Sequence, residues 1–345
     1  MEGTNLRGEA NGVPPGKIEE GANLPDEVGA LKGNGHDERE MTMFQLETFY
    51  DPATFTLTYL AYDPATRDAV VIDPVLDYDP LASQTSTTSA DKLIAFVEAK
   101  NLKLLWVLET HAHADHLSSS QYLKTKLGAR VAIGERIREV QATFKTVLDL
   151  PEGFRTDGHQ FDRLLKDGET LEAGSLRIGV IPTPGHTPAC VTFQLEDAIF
   201  TGDALFMEDY GTGRCDFPRG NASDLYTSVH DRLYTLPDAT RVFVGHDYQP
   251  DGRPLKYETT IGASKAHNPQ LRSTTSKTDF VSMREARDRT LAAPKLLFPS
   301  VQVNIDAGRM PPLTNGKRYL VTPINLFRPA DELGEPIAPS GARPT

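Results

Sequence analysis

The sequence predicts an α/β fold built in layers, followed by a C-terminal extension, and three observations support this fold class. Runs rich in aromatic and β-branched residues begin near residue 43, as in paired strands. Helical and strand patterns then alternate up to residue 148. Short strand patterns dominate again from residue 170 onward. Strand-rich regions joined by alternating helices and strands indicate sheets that are covered by helices.

In the first half, turns at Asp-Pro pairs separate the first strands. The elements predicted here are strands over 43–50, 55–62, 68–73, 104–108 and 130–133, and helices over 90–100 and 135–148. We expect Ser89 to cap the first helix. We also expect Ser118 to cap a further helix, which Gly128 ends.

The second half is predicted to consist mostly of strands. They are expected over 175–182, 189–195, 198–201 and 241–244, with one helix over 222–236. Cys190 lies in the Cys-Val-Thr-Phe pattern of one of these strands, so it is predicted to pack in the core. In the extension, Ser282 is expected to cap a helix over 283–292.

Length and composition allow one large domain or two moderate ones in the 345 residues. Residues 1–40 contain nine acidic residues, four basic residues and eight glycines without apolar periodicity, so a disordered tail is predicted there. A catalytic domain is expected over 41–270. Residues 271–345 are expected to pack on it as an extension whose end could be flexible.

The net charge of −12 argues against a nucleic-acid partner, because phosphate binding needs a basic surface. No apolar run approaches the roughly 18 residues of a membrane span, so no membrane partner is expected. The two cysteines are too few for a disulfide framework, and the N-terminal residues resemble neither a secretory signal nor a transit peptide. These observations predict a cytoplasmic location.

The strand over 104–108 leads into a short stretch rich in potential metal ligands. His111, His113, Asp115 and His116 all lie within six residues. A single histidine is usually a surface or core residue, but four ligand-type side chains directly after a buried strand indicate a metal site. Imidazole and carboxylate suit hard to borderline metals such as Zn, Fe and Mn.

Three further strands end in the same way. They lead into Pro-Gly-His186-Thr, Gly202-Asp203 and Gly245-His246-Asp. Each side chain taken alone could be an ordinary turn residue, but ligands in α/β folds collect at the carboxyl ends of strands. We therefore expect the four regions to converge. His159 and His230 lack ligand spacing and are interpreted as a surface residue and as a residue beside a buried helix face.

The ordered motifs Thr-His111-Ala-His113-Ala-Asp115-His116, Pro-Gly-His186-Thr, Thr-Gly-Asp203 and Gly-His246-Asp resemble those of the metallo-β-lactamase superfamily, over roughly residues 43–270. The resemblance implies a four-layer αββα sandwich with a metal site at one edge of two facing sheets.

In detail, the stretch Gly213-Arg214-Cys215-Asp216-Phe217 and the residues that follow it resemble the persulfide dioxygenases. That resemblance implies that glutathione persulfide is oxidised by O₂ to sulfite and glutathione. It implies one Fe(II) per chain, held by His111, His186 and Asp203, with Zn as the alternative metal.

The same resemblance implies roles for further residues. Asp115, His116 and His246 would take part in catalysis. Together with His113, they would either orient the iron site or form a second metal site. The candidates for substrate contacts are Arg214, which could grip a carboxylate, and Tyr248 and Asn268.

Two other functions remain open. A hydrolase of glutathione thiolesters similar to glyoxalase II would use the same seven ligand positions to hold two metal ions. A persulfide sensor without catalysis is the second alternative, since fold does not determine function. Cys215 is interpreted as structural, with a reactive thiol as the alternative. The quaternary state is left open, with a homodimer as the candidate.

Overall fold

The first half of the described chain folds into a six-stranded sheet. The computed structural model describes residues 44–326 and 330–336. The elements of this half are β1 (Gln45–Asp51), β2 (Thr56–Tyr62), β3 (Asp68–Ile72), β4 (Val75–Asp79), β5 (Gln84–Ser86), α1 (Thr88–Ala99), β6 (Lys103–Glu109), β7 (Leu117–Ser118), α2 (Ser120–Leu127), β8 (Arg130–Gly134), α3 (Ile137–Val147) and β9 (Arg163–Leu165). The sheet order is β1-β2-β3-β6-β8-β9, and β3, β6, β8 and β9 run parallel. Strands β5, β4 and β7 form a small antiparallel sheet beside it.

The second half forms another six-stranded sheet, followed by three helices. Its elements are β10 (Thr170–Ala173), β11 (Leu176–Pro182), β12 (Val191–Leu195), β13 (Ala198–Phe200), α4 (Ala222–Ser228), β14 (Arg241–Phe243), β15 (Glu258–Thr260), α5 (Ile261–His267), α6 (Lys277–Asp288) and α7 (Leu297–Asn304). The strands pair in chain order from β10 to β15, and only β13 and β14 pair in parallel within this sheet.

The two large sheets face each other across one apolar core, and strand β2 shows why. All seven residues of this strand are buried, because its side chains alternate between two apolar environments. Tyr59 contacts Phe200 and Phe243 of the second sheet, with ring centroids 5.3 and 5.5 Å apart. Leu60 and Tyr62 belong to the other cluster, which includes residues of α1, α2 and α3. Burial of a large apolar side chain stabilises the fold by about 1.5–3 kcal/mol.

The predicted extension contributes to both cores. Phe280 of α6 contacts Tyr226 of α4 and belongs to the same apolar cluster as the residues between the sheets, and Leu297 and Val301 of α7 belong to the other cluster. The described residues form one compact unit. The tail predicted over residues 1–40 lies outside the described residues. Within the described ranges, no helix has the length and hydrophobicity needed to cross a bilayer.

Every predicted strand is present, with ends that differ by at most two residues, but two predicted caps in the first half are wrong. Helix α1 begins at Thr88, and the Ser89 hydroxyl donates to Asp77 Oδ1 at 2.6 Å. Ser118 lies in β7, and its hydroxyl donates to the carboxylate of Glu109. In both cases the serine hydroxyl donates a hydrogen bond to a carboxylate that is not adjacent in sequence, and it does not cap a helix as the local sequence predicted.

The helices of the second half also differ from the prediction. The helix expected over 222–236 is α4 followed by one π-helical turn over Val229–Leu233. The cap at Ser282 is wrong, because α6 begins earlier and Ser276 Oγ accepts a hydrogen bond from the backbone N–H of Asp279 at 3.1 Å. The pair Ser276 and Asp279 has the spacing of a capping box, which marks the true start. Helices α5 and α7 were not predicted.

Candidate metal centre

Four strands from the two large sheets release ligand-type side chains at one edge, as predicted. Glycines allow these loops to approach each other. Gly202 has a positive φ of 48°, and a Cβ there would lie 2.4 Å from Thr110 Oγ1. A larger residue would therefore separate the loop after β13 from the loop after β6.

His111, His186 and Asp203 come from three of these loops and are called the first ligand group. One possible ligand atom from each lies within 4.8 Å of the others, and all three residues are buried. His186 Nε2 is 3.5 Å from Asp203 Oδ2. The sequence prediction that these side chains converge is therefore consistent with their observed positions.

Hydrogen bonds orient the two imidazoles of this group. His186 Nδ1 lies 2.7 Å from the carbonyl oxygen of Arg214, so Nδ1 carries the proton and donates it. His111 Nδ1 lies 3.0 Å from Thr110 Oγ1, whose hydroxyl donates to Asp73 Oδ2 at 2.7 Å. In both rings Nε2 is left as the unprotonated atom, which is the form that binds a metal.

His113, Asp115 and His116 form a second ligand group, also with ligand atoms within 4.8 Å of one another. His116 Nδ1 lies 3.1 Å from the carbonyl oxygen of Leu117, which again leaves Nε2 unprotonated. His246 Nε2 is 3.3 Å from Asp115 Oδ2.

His246 also connects the two groups. Its Nε2 is 3.3 Å from Asp203 Oδ1 in the first group, while its Nδ1 is 3.3 Å from the carbonyl oxygen of Phe55. The carboxylate of Asp203 therefore lies between the two groups, and the seven predicted ligand residues form one continuous cluster.

His113 is held differently from the other histidines. Its Nε2 lies 3.0 Å from Asp73 Oδ1 and 3.5 Å from Glu109 Oε2. Burial alone would lower the pKa of His113, but the two carboxylates hold that pKa well above its usual value. If His113 binds a metal, it must therefore use Nδ1, because Nε2 is taken by these carboxylates.

The other electrostatics favour the protonation states that a metal needs. Burial, followed by the neighbouring His113 and His186, holds the pKa of His111 well below its usual value. Burial also lowers the pKa of His116 to about 4. Burial acts to raise the pKa of Asp115, but nearby histidines, led by His246, lower it to about 2. Neutral forms of His111 and His116 and the ionised form of Asp115 are thus favoured near neutral pH.

The donor atoms fit a bound metal ion. Nε2 of His111, Nε2 of His116 and Oδ1 of Asp203 are buried and make no hydrogen bond among the described residues. Buried polar atoms are normally paired, so unpaired nitrogen and oxygen atoms that converge on one place indicate a ligand. Imidazole nitrogen and carboxylate oxygen are typical donors for Fe, Mn and Zn.

Comparison with known proteins agrees with this geometry. Residues 52–246 match the family model described as the metallo-beta-lactamase superfamily. The chain belongs to the metallo-beta-lactamase superfamily. The predicted layered sandwich is therefore confirmed, since the facing sheets and the ligands at one edge are the superfamily's arrangement.

Individual relatives within the superfamily carry different names. A probable metallo-hydrolase of Burkholderia pseudomallei is 48% identical over 82% of this chain and 99% of its own length. Glyoxylase B2 of Dictyostelium discoideum is 45% identical over 82% of this chain and 98% of its own. The mitochondrial persulfide dioxygenase ETHE1 of Homo sapiens is 32% identical, over 77% and 90%. The crystal structure of ETHE1 from Myxococcus xanthus superposes with a TM-score of 0.61 at 33% identity, over 77% of this chain and 100% of that one.

Of the three predicted substrate contacts, Tyr248 is half-buried and its ring lies against the metal centre. Tyr248 stacks on His246 with centroids 5.6 Å apart and on Tyr210 at 4.9 Å. Asn268 is completely buried and donates to the carbonyl oxygen of Gly211 at 3.1 Å, while its Oδ1 accepts two backbone N–H groups. We therefore assign Asn268 to holding the loop around Gly211 rather than to binding substrate.

The contacts of Arg214 also differ from the predicted role, which was to bind a substrate carboxylate. Its guanidinium makes two hydrogen bonds to Asp216, at 2.6 and 2.7 Å, and donates to the carbonyl oxygen of Ala292 at 2.7 Å. The fork that was expected to grip a substrate carboxylate is thus occupied. What Arg214 gives the centre is its own carbonyl oxygen, which orients His186.

The residues outside the superfamily motifs lie where the sequence placed them. His159 is exposed and pairs with Asp157, and His230 is half-buried against the ring of Tyr226. Cys190 is buried, and burial raises the pKa of its thiol to about 12. Cys215 is also buried, and burial raises the pKa of its thiol well above the usual value, which supports the structural interpretation.

Two carboxylates that the sequence motifs did not indicate lie behind the centre. Asp73 accepts hydrogen bonds from both the N–H and the hydroxyl of Thr110 at 2.7 Å and also contacts His113. Glu109 accepts hydrogen bonds from the hydroxyls of Ser118 and Ser120 and faces His113. An acidic residue directly after an apolar strand, as both of these are placed, was the available signal.

Asn304, which the sequence motifs also did not indicate as a site residue, joins the extension to the ligand loop. Its Nδ2 donates to the carbonyl oxygens of His113 at 2.9 Å and His116 at 2.8 Å, and its Oδ1 accepts the N–H of Ser118 at 2.8 Å. One buried amide thus holds both ends of the stretch that carries the second ligand group. No local pattern could link residues about 190 positions apart.

Proposed function

We propose that the chain is a persulfide dioxygenase that oxidises glutathione persulfide with O₂ at one iron ion per chain. In the balanced reaction, glutathione persulfide, O₂ and water give glutathione, sulfite and two protons. The two sulfur atoms of the persulfide together lose four electrons and O₂ gains them, so no further oxidant is required.

The first ligand group is the observation that carries this proposal. Its members offer two imidazole nitrogens and one carboxylate within 4.8 Å of one another. A set of two histidines and one carboxylate leaves coordination positions open and is typical of non-haem Fe(II) oxygenases. Bound Fe(II) would supply the redox chemistry for O₂.

The chain's own residues would orient ligands and handle protons. Hydrogen bonds at Nδ1 fix the rings of His111 and His186, so their Nε2 atoms are held ready for the ion. His246 Nε2, 3.3 Å from Asp115 Oδ2, is placed to accept a proton that the reaction releases, and the carboxylate stabilises the charge. Phe206 covers another side of the His246 ring, with centroids 6.1 Å apart, and limits its contact with water.

Similarity to proteins named ETHE1 supports the proposal. The human protein of that name is a persulfide dioxygenase and is 32% identical to this chain. The more similar relatives, at 45–48% identity, have names that refer to hydrolases or to a glyoxylase. The choice of reaction therefore depends on metal chemistry rather than on sequence identity.

A hydrolase of glutathione thiolesters is the second candidate, and the second ligand group favours it. Its ligand atoms lie as close together as those of the first group, and Asp203 lies between the two groups. Two ions of the zinc class that share Asp203 would suit a hydrolase, because two metals can activate water and polarise a carbonyl.

Metal content and turnover distinguish the two candidates. The protein is purified without added metal, and its iron and zinc are measured per chain. O₂ uptake is then followed with glutathione persulfide, and hydrolysis is followed with S-lactoylglutathione. We expect about one iron per chain, O₂ uptake with sulfite release, and no hydrolysis. Two zinc ions per chain with thiolester hydrolysis would replace the proposal with the hydrolase.

Variants link the result to the site. His111→Ala is expected to remove iron and O₂ uptake together. His159→Ala is the matched control, because this histidine is exposed and remote from the ligand groups. A sample of His111→Ala that kept both iron and turnover would show that the ligand assignment is wrong.

A further inference from the structure

A cavity of about 450 Å³ lies beside the metal centre. His116 lines it, and Nε2 of this buried imidazole has no hydrogen-bond partner in the described part of the chain. Hydroxyl groups make a second connection. Thr54, which also lines the cavity, has its Oγ1 2.8 Å from Oγ1 of Thr56, and Thr56 Oγ1 donates to Asp115 Oδ2 at 3.4 Å. The cavity therefore adjoins the second ligand group at two points.

Three separate parts of the chain form the walls of this cavity. They are the turn between β1 and β2, the hairpin of β4 and β5, and Leu296 just before α7. The hairpin supplies most of the lining residues. Its role in the fold is peripheral, because β4 and β5 belong to the small sheet and not to either large one. A peripheral hairpin that walls a cavity at a reaction centre is well placed to determine specificity.

The charge of the lining is negative. Asp51, Asp77 and Asp79 line the cavity, and no lysine or arginine is among its described lining residues. The oxygens of Asp51 and Asp77 accept hydrogen bonds from nearby backbone and hydroxyl groups, which fix both carboxylates in place. Asp79 Oδ1 accepts the N–H groups of Leu81 and Ala82 at 2.8 and 3.2 Å. Within the described residues, Asp79 Oδ2 makes no hydrogen bond and is available to a ligand.

We propose that this cavity binds the thiol carrier of the sulfur through the carrier's ammonium group. The proposal rests on the dioxygenase function and gives its substrate class, which is small persulfides that carry a primary amine. The γ-glutamyl end of glutathione persulfide carries its ammonium group beside a carboxylate, whereas the glycyl end carries a carboxylate alone, so a negative cavity favours the γ-glutamyl end. Negative walls around a partly enclosed volume attract a cation and repel a carboxylate.

The alternative mode anchors the substrate through a carboxylate at Arg214, and the contacts of Arg214 disfavour it. Arg214 was the candidate for that role, but both of its outer nitrogens and Nε are engaged with Asp216 and Ala292. A substrate carboxylate would have to displace Asp216 before it could bind there. An ammonium group could bind Asp79 Oδ2 without displacing another side chain.

Blocked substrates separate the two modes. The iron-loaded protein is assayed for O₂ uptake with glutathione persulfide, with its N-acetyl derivative and with its dimethyl ester. N-acetylation removes the ammonium charge, and esterification removes both carboxylate charges. We expect N-acetylation to lower kcat/KM by about tenfold or more and esterification to change it by less than about threefold.

A conservative variant assigns the effect to the cavity. Asp79→Asn keeps the oxygen that holds the turn and removes the charge. In this variant, N-acetylation of the substrate is therefore expected to lower kcat/KM by only about threefold or less, and this ratio is called the N-acetyl effect. Glu98→Gln on α1 removes the same charge from an exposed position outside the cavity and is expected to leave the N-acetyl effect unchanged. Equal kcat/KM for the free and N-acetylated substrates, or a larger effect of esterification, would overturn the proposal.

Binding without turnover keeps this proposal separate from the dioxygenase function. S-methylglutathione, which cannot be oxidised as a persulfide, and its N-acetyl derivative are titrated into the metal-free protein by calorimetry. The cavity proposal predicts that N-acetylation weakens binding by about tenfold and that Asp79→Asn removes this difference. If none of the persulfides supports O₂ uptake, the proposed function fails. Equal affinity for the two thioethers would contradict the cavity proposal, regardless of the result of the O₂-uptake assay.

Discussion

The two ligand groups of the metal centre contain the same kinds of side chain but differ in what already holds them. In the first group, both imidazoles are bonded only at Nδ1 and direct their Nε2 atoms at one place. In the second group, His113 Nε2 is taken by Asp73 and Glu109, and Asp115 faces His246 at 3.3 Å. The first group thus directs its donor atoms at one place, whereas part of the second group already has partners within the protein.

This difference teaches why a complete set of motifs does not determine the number of metal ions. The same residue types in a motif can either bind a metal ion directly or orient the residues that bind it. Hydrogen bonds made by the other ring nitrogen decide between these outcomes, and those partners come from elsewhere in the chain. The following predictions test the comparison, beginning with the largest expected effect.

Asp203→Ala removes the only carboxylate of the first ligand group. Because loss of an indirect partner of a metal ligand already costs about 10–100-fold in metal affinity or activity, loss of this ligand is expected to lower iron retention and O₂ uptake by more than about 100-fold. Iron per chain and the rate of O₂ uptake are the measurements. Asp91→Ala on α1 is the control, since Asp91 is exposed. Retention of both iron and turnover would refute the ligand assignment.

Asp115→Asn tests the second ligand group. If this group only supports the first, the variant keeps one iron per chain, while turnover falls by about 100-fold because His246 loses one of its two carboxylate neighbours and keeps only Asp203, which would hold the iron. Metal analysis and the O₂ assay on the same sample separate these effects. A protein that begins with two ions and loses one in this variant would show that the second group also binds metal.

Asn304→Asp tests whether the extension positions the second ligand group. The carboxylate cannot donate to the carbonyl oxygens of His113 and His116, so we expect the free energy of unfolding to fall by about 1–3 kcal/mol and iron to dissociate faster. Urea denaturation and iron release to a chelator are the two measurements.

Gln302→Glu is the matched control for that variant. It makes the same chemical change on the same helix, where Gln302 donates to Phe298 and Val321 and not to the ligand loop. It is expected to lower stability without changing iron release. Equal iron release from the two variants would mean that Asn304 acts on stability alone.

The smallest expected effect concerns the thiols beside the centre. Burial raises the pKa of Cys190 to about 12 and also raises that of Cys215, so neither should be an appreciable thiolate at pH 8. A colourimetric thiol reagent is expected to detect almost no reactive thiol in the native protein and both thiols in denaturant. Rapid reaction of Cys215 in the native state would support the alternative interpretation, in which its thiol is reactive.

The parts of the structure that depend on local pattern were predictable. Strand β6 could be recognised from its apolar run, and the loops after four strands from their histidines and aspartates, because period and turn chemistry are local. The convergence of His111, His186 and Asp203 followed from the rule that ligands collect at strand ends.

The parts that depend on distant partners were not predictable. Ser118 has the sequence of a helix cap, yet it bonds Glu109, which becomes its neighbour only when β7 pairs beside β6. Arg214 has the side-chain chemistry of a residue that binds a substrate carboxylate, yet its guanidinium forms an ion pair with Asp216, two residues later. Asn304 gave no signal at all, because its partners lie about 190 residues earlier.

Anomalous diffraction at the iron edge, from crystals of protein purified without added metal, tests the central claim most directly. The account predicts one peak per chain, bounded by His111 Nε2, His186 Nε2 and a carboxylate oxygen of Asp203. Two peaks that share Asp203, or one peak among His113, Asp115 and His116, would contradict it.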